Sequence, residues 1–367
     1  MFTAAITFLL ILSILVLVHE FGHFIAAKRA GVWVEEFGLG YPPRVYGRKI
    51  GETMYSINLF PIGGFVRLHG EQTEEGISKP KKAFFYKNKK KRFSILIAGV
   101  VMNFILAIVA FTVVYTFSGV PRETDKVIVS GIAKDSPAES AGIKDNDVIE
   151  SVAGQEVKDI GKFIEIVETK KGEKITLGLK DKNGAERHVE VTPRINHPDN
   201  EGPIGVAVTQ TEMYFPPIWK RPFLGVYNGF QEAIFWGETI VIGLFTVIKN
   251  LLTGVVPKDV AGPVGIFAMT SEVSKFGILA IINFLGVFSV NLAIINIVPF
   301  PALDGGRLFF LGIESLIGKK VVPKIEAAIH MAGMVVLILL IIAITIGDVR
   351  RLISAGSLSG FLENAVK

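Results

Sequence analysis

Two histidines four residues apart flank a carboxylate in the segment His19-Glu20-Phe21-Gly22-His23. On a helix this spacing sets both imidazoles on one face, about 6 Å apart along the axis. Such a pair can grip one divalent metal ion. Glu20 follows the first histidine, so its carboxylate can reach a water on the metal without being a ligand. Zinc in that position lowers the pKa of the water, and Glu20 is placed to take its proton and pass it to a leaving amine. The pattern recurs by chance in soluble helices. Here it ends a long apolar run, TFLLILSILVLV. Ionisable groups inside such a run are costly and mark function.

A catalytic zinc needs a third protein ligand and an open position. Cysteine is absent, which excludes thiolate ligation and a disulfide framework. His188 and His197 fall in a polar region. His69 follows the glycine-rich PIGGFVRLHG and reads as polar loop. His330 reads as an interfacial residue near the edge of the last apolar run. Asp304, in NIVPFPALDGG, stands out instead. Pro299 and Pro301 end a helix there, and Gly305-Gly306 permit a tight turn. Irregular backbone at membrane depth is tolerated where it is buried in protein or lines a wet cavity.

The elements that must position these groups are apolar helices. The chain has 367 residues, half of them hydrophobic, and a mean hydropathy of +0.47, which implies a membrane protein with a soluble part. Four runs are long enough to cross a bilayer: about Phe2 to Ala27, Ser94 to Phe117, Ile278 to Phe300, and Ala332 to Ile346. A further stretch, Ile234 to Leu252, holds Glu238 and Lys249 and reads as an amphipathic helix lying in the interface. The first run has no basic segment before it and no small-residue cleavage site after it, so a cleaved signal peptide is not expected. The basic stretch KPKKAFFYKNKKKR lies between two apolar runs, which argues against nucleic acid as a partner. The same stretch places the first loop in the cytoplasm, the segment after the second run outside, and both ends outside. His19, His23 and Asp304 then all lie toward the cytoplasmic face.

Residues 127 to 195 read as a compact α+β domain. VIVSGI alternates like a strand, and DIGKFIEIVETKK has helical spacing at Ile160, Phe163, Ile164 and Val167. EKITLGLK and ERHVEVTP read as strands joined by a hairpin at Asn183-Gly184. The run SPAESAGIKDNDVIESVAGQEV resembles the PDZ family across about Val127 to Val208. That resemblance implies peptide binding by strand addition, with Gly202 to Val206 as the loop for a peptide carboxylate. A domain that binds nothing and only blocks access sterically fits equally well.

HEFGH in the first run, Asn296 to Gly306 in the third, and the PDZ-like domain between them resemble the site-2 protease family. They are most similar to its bacterial RseP-type branch of intramembrane zinc metalloproteases. The resemblance implies zinc held by His19, His23 and Asp304, with Glu20 catalytic. It implies that Phe60 to Gly70, with Gly63 and Gly64, forms a re-entrant β-hairpin beside the active site, and that Asn291 and Asn296 handle substrate. GPVGI, Gly262 to Ile266, is similar to a family segment with no assigned chemistry.

The expected fold is therefore a polytopic α-helical membrane protein of about four transmembrane helices, with a re-entrant β-hairpin and one inserted PDZ-like domain. Residues 1–118 carry the first two spans, 119–210 the extracytoplasmic domain, 211–275 the interfacial segment and 276–367 the last two spans. The expected location is a bacterial cytoplasmic membrane. The implied partners are the lipid bilayer, membrane-spanning substrates such as anti-sigma factors or signal-peptide remnants, and peptide or protein termini at the PDZ-like domain. There is room for one such domain, so a gating scheme built on two does not carry over. The competing reading is a membrane scaffold or transporter whose metal is structural.

Overall fold

The computed structural model describes residues 2–71, 77–182, 184–198, 201–254, 261–319, 323–358 and 360–361. The chain divides into two compact units, residues 1–117 with 218–367, and residues 118–217.

The first unit opens with helix α1 (Phe2–Ala30), followed by strands β1 (Val34–Ile50) and β2 (Thr53–Leu68) and helix α2 (Lys89–Ser118). The two strands are long enough to fold back on themselves. Val34 to Leu39 finds ladder partners in both Gly64–Leu68 and Met54–Ile57, and Arg44–Ile50 pairs with Thr53–Asn58. The sequence reading anticipated strand only around Phe60 to Gly70, so the hairpin is larger than expected. Its second strand packs along α1. Ser13 Oγ on α1 donates to Pro61 O at 3.0 Å.

The second unit contains β3 (Val120–Ile132), α3 (Pro137–Ser140), β4 (Val148–Val152), β5 (Gln155–Glu156), α4 (Ile160–Thr169), β6 (Ile175–Lys180), β7 (Glu186–Val191) and β8 (Val206–Tyr214). Its antiparallel sheet has the order β7-β6-β4-β3-β8, with β5 on β4. Strand β8 carries the unit past residue 210. The Asp159 carboxylate caps α4 by accepting from Lys162 N at 2.7 Å. The core joins Val127, Ile149, Leu177 and Leu179 of the sheet to Phe163, Ile166 and Val167 of α4. Ile164 was expected on this face, but it is 49% exposed. At about 100° per residue Ile164 and Ile166 lie equally far to either side of the midpoint of Phe163 and Val167, and α4 is rotated so that the Ile166 side meets the sheet. Strands β6 and β7 pair as a hairpin; of its expected turn, Asn183 lies outside the described residues and Gly184 has φ +86°.

The chain returns to the first unit through α5 (Arg221–Leu252), α6 (Pro263–Val273), α7 (Ile278–Ile297), α8 (Asp304–Ile317) and α9 (Pro323–Ala355). Among the described residues, five helices are long and apolar enough to cross a membrane: Thr3–Ala30, Lys89–Ser118, Ile218–Asn250, Ile278–Ile297 and Lys324–Ala355. Four of them overlap the runs counted above. The remaining one includes most of the stretch read as interfacial, so length and composition admit a fifth crossing. Two apolar clusters hold this unit together. One joins Ala27, Val34, Leu68, Ile95, Leu96 and Leu311 around the C-terminal end of α1. The other joins Ala107 and Phe111 of α2 to Ala233 of α5 and Val290 of α7.

Candidate metal centre

Helix α1 turns His19 and His23 to one side, as their spacing requires, and both are 7% exposed. Opposite them α7 stops at Ile297, short of Pro299, which has no N–H to continue the ladder. The chain turns through Pro301 and Ala302 and starts α8 at Asp304. Two ties hold α8 against α2: Arg92 Nη1 donates to Glu314 Oε2 at 2.8 Å in a buried pair, and Lys89 Nζ donates to Glu314 O at 2.9 Å.

The result is a convergence of three lone-pair-bearing atoms. Asp304 Oδ2 lies 3.0 Å from His19 Nε2 and 3.1 Å from His23 Nε2. The two imidazole Nε2 atoms are 3.2 Å apart. Tetrahedral zinc with bonds of about 2.0–2.1 Å places neighbouring ligand atoms roughly 3.3 Å apart, so the spacing suits that ion. These three residues are a group able to hold a metal among the described residues.

The surroundings fit the same purpose. His23 Nδ1 lies 2.7 Å from Ile95 O, a carbonyl that can only accept. Nδ1 therefore carries the proton and Nε2 keeps its lone pair. His19 Nδ1 lies 3.3 Å from the Asn103 amide nitrogen, while Asn103 Oδ1 is buried without a partner among the described residues. Turning that amide over places Oδ1 as acceptor for the Nδ1–H that a ligating His19 presents, and the two orientations are isosteric. Gly99, one turn before Asn103, supplies the space. A Cβ there would lie 2.4 Å from His23 Nε2 and 2.6 Å from His19 Cε1.

Glu20 points to the hairpin side, where its Oε2 accepts the Val66 N–H at 3.0 Å. It lines a cavity of about 400 Å³ with His23, Asp304, Arg307 and His330. Gly63 and Gly64 pack against α1 just before His19. Their Cβ positions would lie 3.2 Å from Val16 Cγ1 and 2.8 Å from Gly38 O respectively. Asn291 and Asn296 are half-buried on α7. They are not among the residues lining this cavity.

Sequence reasoning did not single out Gly99, Asn103 or His330 as parts of the site. A signal existed for the first two, since Gly99 and Asn103 sit four apart in an apolar helix, where an amide needs a reason. His330 gave none beyond its type.

An apolar helical bundle carrying a His-Glu-His segment and a converging aspartate defines a membrane metallohydrolase, and sequence relatives agree. RasP, a zinc metalloprotease of Oceanobacillus iheyensis, is 30% identical, with 95% of this chain and 99% of the relative aligned. The regulator of sigma-W protease RasP of Bacillus subtilis is 28% identical, with 95% and 98% aligned. A PDZ domain of an SdrC-like protein from Listeria monocytogenes overlaps 23% of this chain and 88% of its own, at 23% identity and a TM-score of 0.21. The peptidase family M50 description matches residues 7–340. The chain belongs to that family and is a metalloprotease.

Proposed function

We propose that this protein hydrolyses peptide bonds within membrane-spanning segments of other proteins, with zinc held by His19, His23 and Asp304 and with Glu20 as general base. The observation that carries the reading is the convergence of two imidazole nitrogens and one carboxylate oxygen within 3.2 Å. It lies beside a cavity that also presents Glu20. Zinc bound there supplies Lewis acidity, polarising the scissile carbonyl and acidifying a water. Glu20 takes the proton from that water and returns it to the leaving amine. Its bond to Val66 N orients the carboxylate toward the cavity.

A helical substrate protects its carbonyls through its own hydrogen bonds, so the cleaved segment must unwind. The β2 strand at Gly63-Gly64, beside α1, is suited to pair with such an extended segment. Asn291 and Asn296 are held in the same proposal as contacts for substrate backbone farther along α7. The basic residues from Lys79 to Arg92 support a metal centre toward the cytoplasmic side of a bacterial membrane. The unit of residues 118–217 then lies outside, where it recognises peptide termini or excludes large ectodomains. Membrane-anchored anti-sigma factors and signal-peptide remnants are the proposed substrates.

The test is purified Glu20→Gln protein acting on a model transmembrane substrate. The proposal expects cleavage to fall by about 10²–10⁴-fold while zinc stays at one per chain. Full activity in this variant removes Glu20 from the mechanism.

A further inference from the structure

The cavity holds a second group poised for chemistry. His330, on α9, faces the turn that delivers Asp304. Ala302 in that turn has φ +82°, a left-handed conformation that a residue with a Cβ rarely adopts. Its backbone N–H donates to His330 Nδ1 at 3.0 Å. A backbone amide can only donate, so Nδ1 carries the lone pair, and the proton of the neutral ring sits on Nε2. The ring also packs against Phe310, with centroids 5.8 Å apart. Nε2 is shielded from solvent and has no hydrogen-bond partner among the described residues. Holding the Ala302 turn accounts for Nδ1 and puts the proton on Nε2, but it leaves that donor without a partner on a side chain that lines the cavity.

The neighbours narrow what that N–H can meet. Glu20, His23, Asp304, Arg307, Glu71 and Glu326 line the same cavity. Arg307 is paired with Glu71, and Asp304 faces the two histidines. An N–H donor without a partner costs free energy, and a peptide carbonyl entering the cavity removes that cost. We propose that His330 donates its Nε2–H to a backbone carbonyl of the unwound substrate, fixing the peptide beside Glu20 and Asp304. The inference rests on the protease reading for the identity of the acceptor.

The experiment uses the full chain in detergent and an end-blocked synthetic peptide from a transmembrane helix. In His330→Asn, Oδ1 takes the place of Nδ1 and still accepts from Ala302, but the Nε2 donor is gone. Peptide affinity is measured in the inactive Glu20→Gln background, with and without His330→Asn. The expected result is binding weakened about five- to tenfold, with zinc content unchanged. In the active protein KM rises by a similar factor and kcat stays within about twofold. His330→Gln, which returns an amide N–H near the Nε2 position, restores affinity to within about threefold. Equal peptide affinity with and without His330→Asn overturns the proposal. So do nitrogen-15 shifts that place the proton of the wild-type His330 ring on Nδ1. If the peptide binds in a His330-dependent way but wild-type protein never cleaves it, the proposed cleavage within membrane-spanning segments falls and the donor stands.

Discussion

Two aspartates lie among the apolar helices, Asp304 half-buried and Asp348 fully buried, and their surroundings differ in kind. Asp304 Oδ2 faces two imidazole nitrogens at 3.0 and 3.1 Å. Asp348, on α9 and fully buried, faces hydrogen atoms instead. Its Oδ2 accepts from Gly262 N and Gly265 N, both at 2.9 Å, at the start of α6. The carboxylate there satisfies orphan amides and meets the positive end of the helix dipole. Around Asp348 donor meets acceptor at Oδ2, while Oδ1 is buried without a hydrogen-bond partner among the described residues. Around Asp304 acceptors meet one another, and only a cation or shared protons can make that arrangement favourable. A carboxylate among apolar helices is thus read by what surrounds it. The Gly262–Ile266 segment, for which sequence offered no chemistry, is half of a helix cap.

The sharpest way to break the comparison is to remove each carboxylate in turn. Asp304→Ala should lose zinc and lower cleavage by about 10⁴-fold, with expression and helical content retained. Metal analysis showing unchanged zinc would move the third ligand elsewhere. Gly99→Ala comes next, because its Cβ has nowhere to go but into the imidazoles. Zinc affinity should fall about 100-fold in a competition titration with a chelator. Asn103→Leu should weaken zinc about tenfold, and Asn103→Asp, which keeps an acceptor against His19, should bind it nearly as well as wild type. If the two Asn103 variants behave alike, the acceptor role is wrong. The smallest effect belongs to the structural carboxylate. Asp348→Asn should cost about 1–2 kcal/mol in thermal or denaturant unfolding, with zinc content and KM unchanged. A loss of zinc in that variant would erase the distinction between the two sites.

The parts of the site legible in the sequence are those fixed by a local period. His19, Glu20 and His23 are set by one helical turn, and a transmembrane helix can hardly be anything else. The break after α7 was legible too, because Pro299 and Pro301 lack the N–H that would extend it. In the unit of residues 118–217 the strand and helix types followed from periodicity. The choice between Ile164 and Ile166 did not, since it depends on how α4 is rotated against the sheet. The extent of the β1–β2 hairpin was hidden for a similar reason. Tyr41, Pro42 and Pro43 interrupt any simple alternation, and the double pairing of Val34 to Leu39 is a matter of tertiary folding.

By itself, the sequence determined that this chain is a bundle of apolar helices with two histidines on one helix face, a proline-broken turn ending in aspartate, and an inserted α+β unit. Those are consequences of covalent geometry, helical period and the cost of polar groups in apolar surroundings. Only the tertiary structure decided that Asp304 meets His19 and His23 and that Gly99 clears room for their rings. It likewise decided that Asn103 backs one imidazole, that Ala302 fixes the tautomer of His330, and that Asp348 closes a cap. Each of these joins residues from different helices. Their meeting depends on how packed helices rotate and approach, and no spacing along the chain records that.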